Sequence, residues 1–301
     1  MDKQPATTQS AQPEVLGPRV LSLHPTSICA LNCEPCYLMR DVYGDEKPLS
    51  FFASIVREAA TSDSIREVAL AVNIDPASSN RNKEALSTVS DAVRDAHVSL
   101  SVTTNYENLK SWGAKAFSDC HLVSLSIDVF KFPGLDLPSD FFDQVTQLQS
   151  EGIVVNLNVL LSKALLTDLT PTLLQEWLGV ADQVYLVVPK HYNLDFKRQD
   201  LLAFFESISS IWEQPDRFFH LQIDNCIRPE VFPWNQLSPN CEWAESLVNI
   251  LPDGGLTLCA MDIPQVRLES SGELLDAINR YYIEQRQQSR NRCPFIEFND
   301  E

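Results

Sequence analysis

The sequence predicts an α/β protein: a partial (β/α)6 parallel barrel followed by a small C-terminal α+β extension. Short apolar runs alternate with amphipathic helical patterns from Val20 to Val188, as in a parallel sheet covered by helices. Six strand–helix units are legible, too few to close an eightfold barrel. The alternation stops near Pro215, where a Pro-rich stretch and a hairpin pattern follow. The expected organisation is a disordered polar tail over 1–16, the barrel over 17–215 and the extension over 216–301.

Val20-Leu21-Ser22-Leu23 reads as the first strand. Ser50 is placed to cap a helix with Phe52, Ile55, Val56 and Ala59 on one side. A buried strand follows at Val68 to Val72, then a helix through Ala85, Leu86, Val89 and Val93. The third strand is Val98 to Thr103, and one helix carries Leu109, Trp112 and Ala116. Strand four is Leu122 to Val129; Phe142, Val145 and Leu148 mark the next helix, with Gly152 as its C-terminal glycine. Strand five spans Ile153 to Leu160. A helix from Leu169 to Trp177 with Gly179 after it, and a strand at Val184 to Val188, complete the series.

Beyond the helix at Leu201 to Trp212, Phe218 to Ile223 is strand-like. Apolar runs at Val248 to Leu251 and Leu256 to Cys259 flank Pro252-Asp253-Gly254-Gly255, which predicts a β-hairpin. A last helix, Glu273 to Gln285, is expected to bury Leu275, Ile278 and Tyr282.

A chain of 301 residues that is 44% hydrophobic is long enough for a large core. Its net charge of −18 argues against nucleic acid and against anionic membrane surfaces, because phosphate binding needs clustered Lys and Arg. The polar start, Met1 to Glu14, lacks the apolar stretch of a secretory signal. Eight cysteines in such a chain point to metal or redox chemistry in the cytoplasm rather than to disulfides.

The most informative segment is Cys29-Ala30-Leu31-Asn32-Cys33-Glu34-Pro35-Cys36-Tyr37, directly after the first strand. Eight cysteines placed at random would give this spacing only about half a percent of the time. Three thiolates on one short loop suit an iron–sulfur cluster with one open corner, or a zinc site completed by His24 or a distant cysteine. In a parallel sheet such a loop lies at the C-terminal strand ends, where functional groups gather.

The spacing Cys-x3-Cys-x2-Cys followed by an aromatic resembles the signature of the radical SAM superfamily. The resemblance implies that Cys29, Cys33 and Cys36 hold a 4Fe-4S cluster whose fourth iron chelates S-adenosylmethionine. It also implies one-electron cleavage to a 5′-deoxyadenosyl radical that abstracts a substrate hydrogen, and the partial (β/α)6 barrel itself. Tyr37 stands where the family has an aromatic near adenine, though a Tyr can simply pack against the loop. Asn73-Ile74-Asp75-Pro76 replaces the family's Gly-Gly-Glu-Pro, keeping only the acid-Pro ending. Thr104-Asn105 is similar to its Thr-Asn-Gly and Ser126-Ile127-Asp128 to its Ser-x-Asp. Asn73, Asp75, Thr104, Asn105, Ser126 and Asp128 are therefore expected to bind S-adenosylmethionine; loop capping is the plain alternative for Ser126 and Asp128. Asn156 and Asn158 alternate with apolar residues, so they face one side of strand five, and Asn156 is a further candidate. Lys131, Lys163 and Lys190 are the cations near strand ends that can meet a carboxylate. His24 reads as a structural histidine and Cys120 as a packed thiol.

Cys241, Gly254 and Cys259 are spaced Cys-x12-Gly-x4-Cys. A hairpin returns the second thiol toward the first, and the glycine permits the turn. The pattern resembles the opening of SPASM and Twitch domains, which hold auxiliary iron–sulfur clusters. Only Cys293 follows Cys259, so the one-cluster Twitch form fits better, with Cys226 as the natural fourth ligand. The alternatives are a zinc hairpin or unliganded thiols, and for Cys226 a packed thiol. Asp262 is named as a catalytic candidate only for its nearness to Cys259.

The expected function is oxidative modification of a substrate, a ribosomally made peptide first, with a low-potential flavodoxin- or ferredoxin-type electron donor. A radical SAM dehydrogenase or rearrangement enzyme for a small biosynthetic intermediate is the alternative. A non-catalytic iron–sulfur carrier or binding protein is the third, motivated by the lost Gly-Gly at Asn73-Ile74.

Overall fold

The computed structural model describes residues 18–31, 44–128, 131–188, 194–212, 220–224, 226–227, 246–258, 264 and 266–286. Its centre is a ten-stranded sheet. Seven strands follow one another in chain order: β1 Val20–Leu23, β2 Glu67–Ala71, β3 Ser99–Thr104, β4 Leu122–Ile127, β5 Val154–Leu160, β6 Gln183–Val187 and β7 Leu221–Ile223. All pair in parallel. Sequential parallel strands joined by right-handed crossovers put every connecting helix on one face.

The strands alternate accordingly. Leu21, Leu23, Val68, Leu70, Leu100, Val102, Val123, Leu125, Val155, Leu157, Val184 and Leu186 are at most 1% exposed. They share one core with Phe52, Ile55 and Val56 of α1 (Leu49–Ala59) and Leu86 and Val89 of α2 (Arg81–Ala96). The opposite face carries Ser22, Ala69, Ser101, Ser124, Ser126, Asn156, Asn158, Gln183 and Tyr185. In-register pairs line these groups up across the strands, as in Thr103–Ser124–Asn156–Gln183 and Ser126–Asn158–Tyr185. The concave side of a partial barrel is thus built mainly of small hydroxyl and amide side chains, with Tyr185 among them.

The C-terminal region extends the same sheet. β8 (Leu247–Ile250) lies parallel on the free edge of β1, and β9 (Gly255–Thr257) and β10 (Val266–Arg267) continue antiparallel. The expected hairpin is therefore present, with its tip at the same sheet edge as the end of β1. Gly254 has φ +81°, and a Cβ there would stand 2.8 Å from the Leu268 carbonyl oxygen and 3.1 Å from Lys47 Cε. Both the left-handed backbone and the close approach call for glycine.

Several local expectations are corrected. Ser50 does not cap α1, which begins at Leu49 behind Pro48. The third helix stops at Trp112, because Gly113 (φ +76°) breaks it before a 3-10 turn at Ala114–Phe117. The helix expected at Leu169 to Trp177 is α6 (Pro171–Val180), capped by Thr170 with Pro171 in its first turn, and an unexpected short helix α5 (Lys163–Asp168), capped by Ser162, precedes it. Gly179 lies inside α6 rather than after it. The last helix, Leu274–Arg286, buries Ile278 as expected, together with Leu274, Ala277 and Tyr281, while Leu275 is only half-buried. Of the expected strand Phe218 to Ile223, only Leu221–Ile223 lies among the described residues as strand.

Candidate functional site

The C-terminal ends of β1, β2 and β3 are bound into one network. Cys29 follows β1 and is half-buried, and its Sγ accepts the Leu31 N–H at 3.3 Å. The sulfur is partly accessible and sits at the sheet edge, a position open to a metal. The residues on either side tie it to the segment after β2 and to α2: Ala30 N donates to Ile74 O at 2.8 Å, and Asn82 Nδ2 donates to Ile28 O at 3.0 Å.

Asn82, wholly buried at the start of α2, is the hub. Its Oδ1 accepts Asn73 N at 2.8 Å, and its Nδ2 also reaches Asp75 Oδ1 at 3.1 Å. Asp75 spends its carboxylate on the first turn of α2, accepting Asn82 N at 2.9 Å and Lys83 N at 3.1 Å, as an anion at a helix N-terminus should. Asn105 caps α3 (Tyr106–Trp112) by accepting Asn108 N at 2.9 Å. Asn108 Nδ2 returns to Asn73 O at 2.6 Å and Thr104 Oγ1 at 3.1 Å. Asn73, Asp75, Thr104 and Asn105 are thus brought together, and their backbone and carboxylate groups hold the strand exits in shape. One group is left over: among the described residues, buried Asn73 Nδ2 has no partner.

Ser126 is half-buried on the concave face, opposite Asn158 in the ladder. Buried Asn156 donates through Nδ2 to Ser124 Oγ at 3.1 Å and Asn158 Oδ1 at 2.7 Å; its Oδ1 has no partner among the described residues. A buried amide oxygen without a donor is costly unless a ligand or water supplies one. Asp128 accepts Lys131 N at 2.9 Å and Lys131 Nζ at 2.5 Å, so this lysine is already paired. Lys163 is exposed at the start of α5, and Lys190 lies outside the described residues.

His24, two residues beyond Ser22, is 5% exposed, and its Nε2 lies 3.3 Å from Ser22 Oγ. Burial lowers its pKa from 6.5 to about 4, opposed by a side-chain hydrogen bond with Asn249, so the ring is neutral near pH 7. Cys120 is 5% exposed, and burial, then Asp119, pushes its thiol up to about 12: a packed thiol, as expected. Cys226, half-buried just past β7, packs beside the core, and its N–H donates to Asp224 Oδ1 at 3.1 Å. Cys33, Cys36, Tyr37, Cys241, Cys259, Asp262 and Cys293 lie outside the described residues.

Sequence reasoning missed Asn82, Asn108, Glu46 and Asp253. Their contacts from Asn82 to Ile28, Asn108 to Asn73, Glu46 to Ser27 and Asp253 to Gly44 span chain separations at which spacing carries no signal.

No family model matches the sequence, and no curated protein matches it. Among solved structures, SuiB of Streptococcus suis bound to precursor peptide SuiA is similar over 89% of this chain and 65% of SuiB, with 14% identity and a TM-score of 0.66. SuiB bound to S-adenosylmethionine gives 0.65 at 15% identity, over 89% of this chain and 66% of that one. For anSMEcpe with bound AdoMet and the Cp18Cys peptide, the TM-score is 0.58 at 14% identity, over 89% and 82%. These neighbours are radical SAM enzymes.

The chain has the radical SAM fold. It spans about 65% of the length of SuiB. On this fold Cys29 lies just beyond the C-terminal end of β1. Among the described residues, Asn73 Nδ2 after β2 and Asn156 Oδ1 within β5 are buried polar atoms without a partner. No described helix is long and apolar enough to cross a membrane.

Proposed function

We propose that this chain is a radical SAM enzyme in which Cys29, Cys33 and Cys36 hold a 4Fe-4S cluster that binds S-adenosylmethionine. The observation that carries the reading is Cys29: a partly accessible thiol just beyond the C-terminal end of β1, its neighbours tied to the segment after β2 and to α2. When bound, the cluster supplies an electron for reductive cleavage of S-adenosylmethionine and hydrogen abstraction from a substrate.

The chain's own residues bind and orient. Asn73 Nδ2 offers a donor beside the cysteine segment, and Asn156 Oδ1 and Ser126 offer acceptors on the concave face. Asp75, Thr104, Asn105 and Asp128 shape the strand ends. The substrate proposed is a peptide and the outcome oxidative. The peptide-bound state of SuiB and the largely uncharged amide and hydroxyl groups of the concave face support this, as does the acidic surface, which favours a basic chain.

Cys226, Cys241, Cys259 and Cys293 are proposed as ligands of one auxiliary 4Fe-4S cluster in a Twitch-like region beyond residue 215. The antiparallel pairing of Asn249 with Thr257 supports it, since the segments leading to Cys241 and Cys259 leave the hairpin at one end. Asp262 is kept as a catalytic candidate and Tyr37 as an adenine neighbour. The electron donor proposed is a low-potential flavodoxin or ferredoxin type.

The test is anaerobic: reconstitute with iron and sulfide, reduce with dithionite, add S-adenosylmethionine, and quantify 5′-deoxyadenosine beside a Cys29/Cys33/Cys36→Ala variant. Product lost in the variant supports the reading. Absence of both product and S-adenosylmethionine binding from an iron-loaded wild type overturns it.

A further inference from the structure

The chain leaves β1 through Thr26 and Ser27 and is described again from Gly44, and one carboxylate joins these two ends. Glu46 Oε1 accepts Ser27 N at 2.6 Å, Ser27 Oγ at 2.8 Å and Thr26 Oγ1 at 3.0 Å. Thr26 Oγ1 is also 3.1 Å from Glu46 Oε2, and it accepts Ile28 N at 3.1 Å, one residue before Cys29. Arg81 completes the set, with Nε 3.8 Å from Glu46 Oε2 and Nη2 donating to Lys47 O at 3.0 Å.

The other side of this returning segment is held by the C-terminal hairpin. Lys47 N donates to Pro252 O at 2.8 Å, and Gly44 N to Asp253 Oδ2 at 3.1 Å. Asp253 is 4% exposed and also accepts Arg267 Nε at 2.7 Å and Gly255 N at 3.0 Å. A carboxylate buried this deeply is tolerated only when its oxygens are filled, and one of its donors is the far end of the cysteine segment.

We propose that Glu46 is a positioning residue for Cys29, braced from outside by Asp253, so that the C-terminal hairpin is a working part of the first cysteine site. The inference rests on the radical SAM reading above. The donors from Thr26 and Ser27 converge on one Glu46 oxygen, two residues before Cys29, and so join the two ends of the segment. Charge-assisted hydrogen bonds of this kind fix geometry as well as stabilise it.

The test uses the full chain without iron, anaerobically, as wild type, Glu46→Ala, Glu46→Gln and Asp253→Ala. Hydrogen exchange is followed over residues 26–31, with alkylation of Cys29 by iodoacetamide. Glu46→Ala is expected to speed both by about tenfold, the worth of one charge-assisted hydrogen bond. Glu46→Gln keeps an oxygen for Ser27 and is expected to stay within about threefold of wild type; Asp253→Ala falls between. Unchanged exchange in Glu46→Ala overturns the clasp. If that variant does not fold, Glu46→Asp, one methylene short, carries the same test.

Iron retention is then measured in a Cys241→Ala/Cys259→Ala background, so that the count reports the first site. Glu46→Ala losing iron faster than Glu46→Gln supports the positioning role, and equal retention overturns it. A wild-type first site that takes up no iron overturns the functional reading itself, a result separate from the exchange data.

Discussion

Replacing Asn82 by Ala removes a side chain that is 0% exposed and joins the cysteine segment to the exit of β2. Three contacts go: Asn73 N to Oδ1, Nδ2 to Ile28 O, and Nδ2 to Asp75 Oδ1. Asp75 keeps two helix amides, so its carboxylate remains served. Asn73 N and Ile28 O are orphaned in a half-buried setting, at roughly 1–2 kcal/mol each. Alanine returns about 0.5 kcal/mol of helix propensity, leaving a net loss of about 1.5–3.5 kcal/mol. Urea unfolding of the iron-free protein by far-UV circular dichroism should show this as a lower midpoint with unchanged slope. The isosteric Asn82→Asp is the sharper probe. It keeps the acceptor for Asn73 N but sets a second carboxylate against Asp75 and leaves Ile28 O without a donor. Like charge and the need for a donor both raise the new carboxyl's folded pKa. A raised folded pKa means that the penalty is full at neutral pH and shrinks as pH falls through that value. An Asn82→Ala change within 0.5 kcal/mol of wild type, or an Asn82→Asp penalty that does not vary with pH, would refute the hub.

Other perturbations test separate parts. His24 has a folded pKa of about 4 against 6.5; the unfolded chain takes the proton first, so stability present above pH 6.5 is lost as pH falls. The His24 contribution is about 2 kcal/mol between pH 7 and 5, and comparison with His24→Gln in urea titrations isolates it. Gly152→Ala, with φ +82° but open space, should cost about 1 kcal/mol. Gly254→Ala adds contact with Leu268 O and Lys47 and should cost at least about 2 kcal/mol; equal losses in thermal melts would deny the close approach. In native iron-free protein at pH 8, iodoacetamide should leave Cys120 unmodified, its thiol raised to about 12 by burial, while labelling half-buried Cys29. Peptide mass spectrometry reads both.

The six strand–helix units were legible because burying one face of each element forces an apolar rhythm, and a parallel sheet repeats it. The hairpin at Pro252 to Gly255 was legible for the same reason, with a turn residue where the rhythm breaks. Gly113 and the Ser162 and Thr170 caps were overlooked, and two helices were misread, because a local break interrupts a periodicity only briefly. The cysteine spacing was equally local, and it placed Cys29 at the correct edge of the sheet.

What the sequence determined by itself is therefore periodic or contiguous: strand order, the apolar face of each strand, and three thiols on one loop. Only the tertiary structure decided that Asp75 serves a helix N-terminus, that Asn82 and Glu46 hold the cysteine segment, and that β8 joins the free edge of β1. Those contacts link Asn82 with Ile28, Ser27 with Glu46, and Gly44 with Asp253, 209 positions away. A hydrogen bond between distant residues leaves no period in the chain, because its partners become neighbours only when the sheet is assembled.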